Sequence, residues 1–331
     1  MSTPLAPWLQ TQLAELLRRR GHAWLLQGPS GLGQYPLALA LAQAWLCEHP
    51  TPEGACGQCH SCHAVSVRTH PDLCVLMPET LALALNWPLD EKVQKELDDK
   101  KRKPSKEIRV EAARDMVAFS QQTRSGGSTK VVLVYPAERM NHTTANTILK
   151  TLEEPPGETR FVLASEAAHQ LLPTIRSRCQ SHTLQWPDTA SALTWLNQHD
   201  LSPSEAQVLL RAAGGRPEDA LALAQQGLKA AHWSALPRAM QRGEVAALDT
   251  SPTQAIDILQ KICHDAIALH TGASPRFFEA VDMPSGATLA TLTQWSRELM
   301  AAARTAEHPF NPGLMLEALV ARAQTALRAT A

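Results

Sequence analysis

The chain has 331 residues, 44% of them hydrophobic, and carries 31 Lys and Arg against 32 Asp and Glu for a net charge of -1. That hydrophobic share excludes a disordered chain, and the length exceeds one ordinary core, so two or three folded domains are expected. The balanced charge argues against a protein that grips DNA over a broad basic face, because neutralising phosphates needs surplus positive charge.

Residues 1–8 lack a basic stretch followed by an apolar one, and no run of about 18 apolar residues occurs. A cytoplasmic protein is expected. In that compartment seven cysteines point to metal or chemistry rather than disulfides.

A helix is expected over 9–20, where Leu9, Leu13, Leu16 and Leu17 share a face before Gly21. Ala23–Gln27 reads as a strand, 28–33 as a glycine turn and 37–47 as an apolar helix, the opening of a βαβ unit. A cysteine-rich insert at 47–62 precedes a strand at 73–77 and a charged segment at 78–106. Within that segment Lys100, Lys101, Arg102 and Lys103 follow Glu96, Asp98 and Asp99, which reads as a self-compensating surface insertion. Further on, 108–123 reads as a helix and 131–135, after Gly126-Gly127, as a buried strand. A helix over 143–154 stops at Pro155-Pro156, and 161–164 is another buried strand.

Alternating strands and helices imply an α/β fold with a parallel sheet covered on both faces. After Trp186-Pro187 only helical spacing remains. The expected domains are a P-loop domain over 1–184 with a metal-binding insert at 47–62, a small helical domain over 185–227 and a helical bundle over 228–331.

Gly28-Pro29-Ser30-Gly31-Leu32-Gly33-Gln34-Tyr35 has the glycine frame of a Walker A loop between a strand and a helix. Such loops cradle phosphates with backbone N–H groups, while a Lys meets the β/γ-phosphates and a Ser/Thr hydroxyl binds Mg²⁺. Here Gln34 and Tyr35 stand at the Lys and Ser/Thr positions. The acidic motif expected after strand 131–134 is replaced by Tyr135 and Pro136, and Glu138, further along, should point elsewhere. Two independent losses agree, so ATP hydrolysis by this chain is not expected.

Cys47, Cys56, Cys59 and Cys62 form C-x₈-C-x₂-C-x₂-C, with Gly54 and Gly57 loosening the chain where it folds back. Four thiolates at such spacing suit tetrahedral Zn²⁺ in a closed, structural site. His60 and His63 are possible substitute ligands that a four-cysteine set makes unnecessary. Cys74, Cys179 and Cys263 read as isolated packing residues.

The cysteine cluster, Thr69-His70-Pro71-Asp72, the run from Asn146 to Pro156 and Ile175-Arg176-Ser177-Arg178-Cys179 together resemble the delta-prime family of bacterial DNA polymerase III clamp-loader subunits, within the AAA+ superfamily. The resemblance covers most of the chain up to Gln180. Gamma/tau subunits keep the loop lysine, and delta lacks both Ser-Arg-Cys and the cysteine module, so delta-prime fits best. Glu218, in Gly215-Arg216-Pro217-Glu218-Asp219-Ala220-Leu221, falls where an active subunit of this class would carry a sensor-2 Arg.

The resemblance implies that Arg178 is a trans-acting arginine finger reaching the ATP of a neighbouring gamma/tau subunit, with Ser177 and Cys179 fixing its loop. It also implies a hetero-pentamer with gamma/tau and delta, acting on the sliding clamp and primed DNA. The helical parts become a lid and an oligomerising collar. A surface salt bridge is the plainer reading of Arg178, and a solvated helix terminus that of Glu153 and Glu154. Two other functions stay open: an active P-loop ATPase motor, and a zinc-ribbon nucleic-acid binder, against which the acidic Glu48 and Glu53 speak.

Overall fold

A computed structural model describes residues 5–124, 129–306, 308 and 311–328; Gly126-Gly127 lie outside them. The chain divides into two compact units, Met1–Pro187 and Asp188–Ala331.

The first unit contains α1 (Pro7–Arg18), β1 (Ala23–Gln27), α2 (Gln34–Leu46), α3 (His60–Ser66), β2 (Leu73–Leu76), α4 (Glu79–Ala84), α5 (Glu91–Asp98), α6 (Val110–Gln121), β3 (Lys130–Val134), α7 (His142–Glu153), β4 (Thr159–Ser165), α8 (Pro173–Arg176) and β5 (Gln180–Thr183). The strands form one parallel sheet in the order β2-β3-β4-β1-β5. A sheet buried on both faces needs continuous apolar strands. Val131, Val132, Leu133 and Val134 of β3 and Phe161 to Ala164 of β4 meet that need and are fully buried. On one face Leu25, Val132, Val134, Phe161 and Leu163 pack with Met116 of α6 and Ile148 and Leu152 of α7. On α2, which packs against β3 and β4, Leu37, Ala38 and Leu41 are fully buried.

Two boundaries differ from the sequence expectation in ways that matter for the site. The second helix begins at Gln34 rather than 37, because Gly33 adopts a left-handed conformation and caps it, which puts Gln34 and Tyr35 in its first turn. The edge strand β5, Gln-Ser-His-Thr, has no apolar run and gave no strand signal. It forms by pairing with β1, and its buried His182 meets Gln12 Oε1 of α1 at 3.0 Å.

The charged segment is ordered as α4 and α5. Arg102 pairs with Glu79 of α4 through Nη1 at 2.5 Å and Nη2 at 2.9 Å, and with Glu96 through Nε at 2.9 Å. Glu79 also accepts the Ser105 amide at 2.7 Å, so part of this insertion is anchored rather than solvated.

The second unit is helical: α9 (Thr189–Asn197), α10 (Pro203–Ala212), α11 (Pro217–Gln225), α12 (Ala230–Arg242), α13 (Pro252–His270), α14 (Leu289–Thr305) and α15 (Pro312–Leu327). Ala212 of α10 shares a buried cluster with Trp233, Ile256, Leu259, Trp295 and Val320 of the later helices. The loop after α13 is fixed by Asp265, fully buried, which accepts the amides of Arg276, Phe277 and Phe278 at 2.8, 2.6 and 2.8 Å. Phe278 then stacks on Trp233 with planes 2° apart. Among the described residues no helix is long and apolar enough to cross a membrane.

Candidate functional site

The turn from β1 into α2 keeps the backbone of a phosphate loop. Gly31 (φ 75°) and Gly33 (φ 94°) occupy left-handed conformations that a side chain resists. A Cβ on Gly28 would lie 3.4 Å from the Gln34 amide nitrogen, from Leu32 Cδ1 and from Leu184 Cβ, so that glycine serves a close approach.

The side chains of the loop turn inward. Gln34 is almost wholly buried, and its Nε2 donates to the carbonyls of Gly28 at 2.7 Å and Pro29 at 2.6 Å. Both amide hydrogens are thereby used on the loop itself, at the position where a lysine ammonium would meet phosphate. Tyr35 accepts a hydrogen bond from Trp87 Nε1 at 2.6 Å, and its ring lies 5.2 Å from that of Tyr135. Burial pushes the Tyr35 phenol above its ordinary pKa, against the lowering influence of Trp87 and Arg68, so it stays neutral at pH 7. Tyr135 donates to Glu166 Oε1 at 2.7 Å, beyond the end of β4. Glu138 is tied to the same place, its Oε1 accepting the Glu166 amide at 3.1 Å. The two positions at which the sequence departs from an ATPase are therefore in mutual contact.

The four cysteines converge at the C-terminal end of α2 and the start of α3. Their sulfurs all lie within 4.8 Å of one another, with Cys47 to Cys59 and Cys56 to Cys62 at 3.9 Å. A tetrahedron with metal–sulfur bonds of about 2.3 Å has edges of about 3.8 Å, which these two separations match. Amides of Cys56, Cys59 and Cys62 point at the sulfurs of Cys47, Cys56 and Cys59 at 3.3, 3.4 and 3.4 Å. Such bonds favour thiolates, the form that binds metal. Amides of Gln58 and Cys59 bring the Cys56 thiol down to about 6. At Cys59 burial opposes, but the amides of Cys62 and Glu48 outweigh it and leave the thiol lowered. Burial pushes Cys47 and Cys62 up. Gly54 (φ 145°) and Gly57 (φ 72°) make the turn that folds the insert back. His60 and His63 lie outside the cluster. The set can hold one tetrahedral ion with no open position.

Ser177, Arg178 and Cys179 follow α8 directly. Ser177 Oγ donates to the Thr174 carbonyl at 3.2 Å and closes the turn. Cys179 packs against the sheet's apolar cluster, where burial pushes its thiol up to about 12. The Arg178 guanidinium stands at the surface and pairs with Glu153, the last residue of α7, with Nε at 2.9 Å and Nη2 at 2.8 Å from one carboxylate oxygen. Its Nη1 donates to the Thr174 carbonyl at 3.0 Å. The sequence assigned Glu153 to a solvated helix end; its link to Arg178 spans 25 residues and carries no local signal. In the second unit Arg216 Nε bonds Asp219 at 2.6 Å at the start of α11.

The family model for DNA polymerase III, delta subunit, matches residues 6–188. DNA polymerase III subunit delta' of Pseudomonas aeruginosa is 40% identical over 227 residues, covering 67% of this chain and 62% of that protein. The chain belongs to the delta-prime family of DNA polymerase III subunits. The delta' subunit of Escherichia coli is 35% identical over 226 residues, covering 66% of this chain and 60% of that protein. Both matches thus span less than two thirds of the relatives' own lengths. A gamma subunit-related DNA polymerase III protein of Thermotoga maritima superimposes with a TM-score of 0.51 over 97% of this chain and 100% of that one, at 16% identity, which shows a shared fold. The matched delta-prime segment carries the closed loop, the cysteine cluster and Arg178 alike.

Proposed function

We propose that this delta-prime chain is a non-hydrolysing subunit of the DNA polymerase III clamp loader, which helps load the sliding clamp onto primed DNA. The observation that carries this reading is the phosphate loop filled by its own side chains, with Gln34 on the loop carbonyls and Tyr35 against Tyr135. A nucleotide phosphate would have to displace both. The chain's contribution to ATP chemistry is then Arg178, held at the surface of the first unit, as a finger toward the ATP of an adjacent gamma/tau subunit. A guanidinium remains charged at any physiological pH and matches phosphate oxygens with paired donors. Ser177 and Cys179 support its turn without touching nucleotide.

The cysteine cluster in this reading holds structural Zn²⁺, chosen by four soft thiolates in tetrahedral array. The helical unit supplies a small lid domain up to residue 227 and a collar bundle over 228–331 that joins gamma/tau and delta subunits in a hetero-pentamer. The site of action is cytoplasmic.

The test is reconstitution with gamma/tau, delta, clamp and primed DNA. The isolated chain is expected to neither bind nor hydrolyse ATP, while its addition restores clamp loading to the other subunits. ATP turnover by the isolated chain, abolished by Gly33→Val, would overturn the reading in favour of a motor subunit. Salt-sensitive DNA binding by the chain alone, lost on removal of metal, would favour a nucleic-acid binder.

A further inference from the structure

We propose that Glu153 is the positioning residue for Arg178, holding the guanidinium side-on so that its outer edge stays available to an anion. The inference rests on the reading of Arg178 as a trans-acting charge.

A guanidinium has five N–H donors: one on Nε and two on each terminal nitrogen. The bonds to Glu153 and Thr174 use Nε and one hydrogen each of Nη1 and Nη2. One hydrogen therefore remains on each terminal nitrogen to meet an anion such as phosphate. A carboxylate that met the guanidinium end-on would have occupied one hydrogen on each of them.

Both mounts are rigid. Glu153 follows the fully buried Leu152 at the end of α7, and Pro155-Pro156 stop the chain behind it. Arg178 follows α8, whose Ile175 is fully buried in the same apolar cluster as Leu152.

Stability alone explains the pair poorly. Side-chain exposure is 31% for Arg178 and 56% for Glu153, and pairs this exposed contribute little to stability. A carboxylate at a helix C-terminus also opposes the helix dipole. Selecting one rotamer of a long, flexible side chain is what such a weak, directional pair can do. Prepaid orientation of this kind matters most where a charge must meet a transition state.

The experiment compares wild type, Glu153→Ala, Glu153→Gln, Arg178→Ala and the Glu153→Ala/Arg178→Ala double variant in the reconstituted complex, with assembly checked by size exclusion. The readouts are kcat and KM for ATP, and the Arg178-dependent turnover is the difference between wild type and Arg178→Ala. Glu153→Ala is expected to cut that component about 10-fold, within the roughly 100-fold that misplacing a group can cost, with KM unchanged. Glu153→Gln, which keeps an acceptor oxygen, should fall between. The double variant should match Arg178→Ala. If Arg178→Ala lowers turnover while Glu153→Ala leaves it at the wild-type level or raises it, the positioning role is wrong and the finger stands. A further loss from Glu153→Ala in the Arg178→Ala background would reduce Glu153 to a structural residue. If Arg178→Ala itself changes nothing, both readings fall.

Discussion

The rings of Tyr35 and Tyr135 lie 5.2 Å apart with planes inclined at 31°. One stands at the Ser/Thr position of the Walker A frame and the other where the acidic motif is expected after the third strand. Read along the chain they are independent losses. In the fold they are neighbours, bridged outward by Trp87 on one side and Glu166 on the other. Two aromatic rings at this distance gain about 0.5–1.5 kcal/mol beyond their burial.

Restoring the lysine alone should therefore not restore a nucleotide site. Gln34→Lys would remove the bonds to the Gly28 and Pro29 carbonyls and leave both tyrosines in place. The expected result is no ATP binding by isothermal calorimetry at millimolar nucleotide, for Gln34→Lys and for Tyr35→Thr singly. Saturable Mg²⁺-dependent binding by Gln34→Lys alone would show that the aromatic pair is no barrier.

The cysteine cluster should hold one zinc per chain, measured by atomic emission on protein purified without added metal. Cys62→Ser replaces a buried ligand and should abolish stoichiometric binding. A loss of about 2 kcal/mol corresponds to roughly 4–8 °C in Tm for a unit of this size. ATP-independent assembly with partner subunits should persist, because a closed four-thiolate site has no catalytic position.

Acid should weaken the anchored insertion. Burial raises the Glu79 carboxyl, but Arg102, the Ser105 amide and Arg109 outweigh it and hold its pKa below the usual range. A depressed folded pKa means the stabilisation is present above the unfolded value, about 4.3, and is lost as pH falls through the folded value. The Tm of wild type should drop on that acid side more than the Tm of Glu79→Gln, whose own penalty appears at pH 7. Arg102→Met should lower the Tm at pH 7, though less than breaking a fully buried pair would, because Arg109 still lies 3.2 Å from Glu79.

Asp265→Asn should loosen the loop after α13. The carboxylate serves three amides, and an amide side chain turns two hydrogens toward donors. Bonds to a charged acceptor are worth about 1.5–3 kcal/mol each, so loss of at least one such increment is expected. Hydrogen exchange at Arg276, Phe277 and Phe278 should accelerate while that of α13 changes little.

Much of the first unit was legible in the sequence because its signals are local. Apolar runs such as 131–134 mark buried strands, glycine spacing marks the loop, and C-x₂-C-x₂-C marks the metal cluster. What escaped depends on partners distant along the chain. The polar β5 exists because β1 offers it an edge, and Gln34 folds back because loop carbonyls await it. Arg102 reaches Glu79 across 23 residues, and Arg178 reaches Glu153 across 25. Neither pair has a spacing that a helix or strand period would reveal. The residue types were visible in each case, but the pairing was not.

On the proposed function this chain turns over no ATP and lends Arg178 to a neighbour that does. The direct measurement is steady-state ATP hydrolysis by the reconstituted complex with clamp and primed DNA, wild type against Arg178→Ala, beside the isolated chain. Arginine fingers contribute about 10³ to 10⁵ in rate at the site they serve. An inert isolated chain, normal assembly and turnover reduced by that one site's share are the predicted results. Arg178→Ala complexes that assemble, hydrolyse ATP and load clamps like wild type would contradict the account.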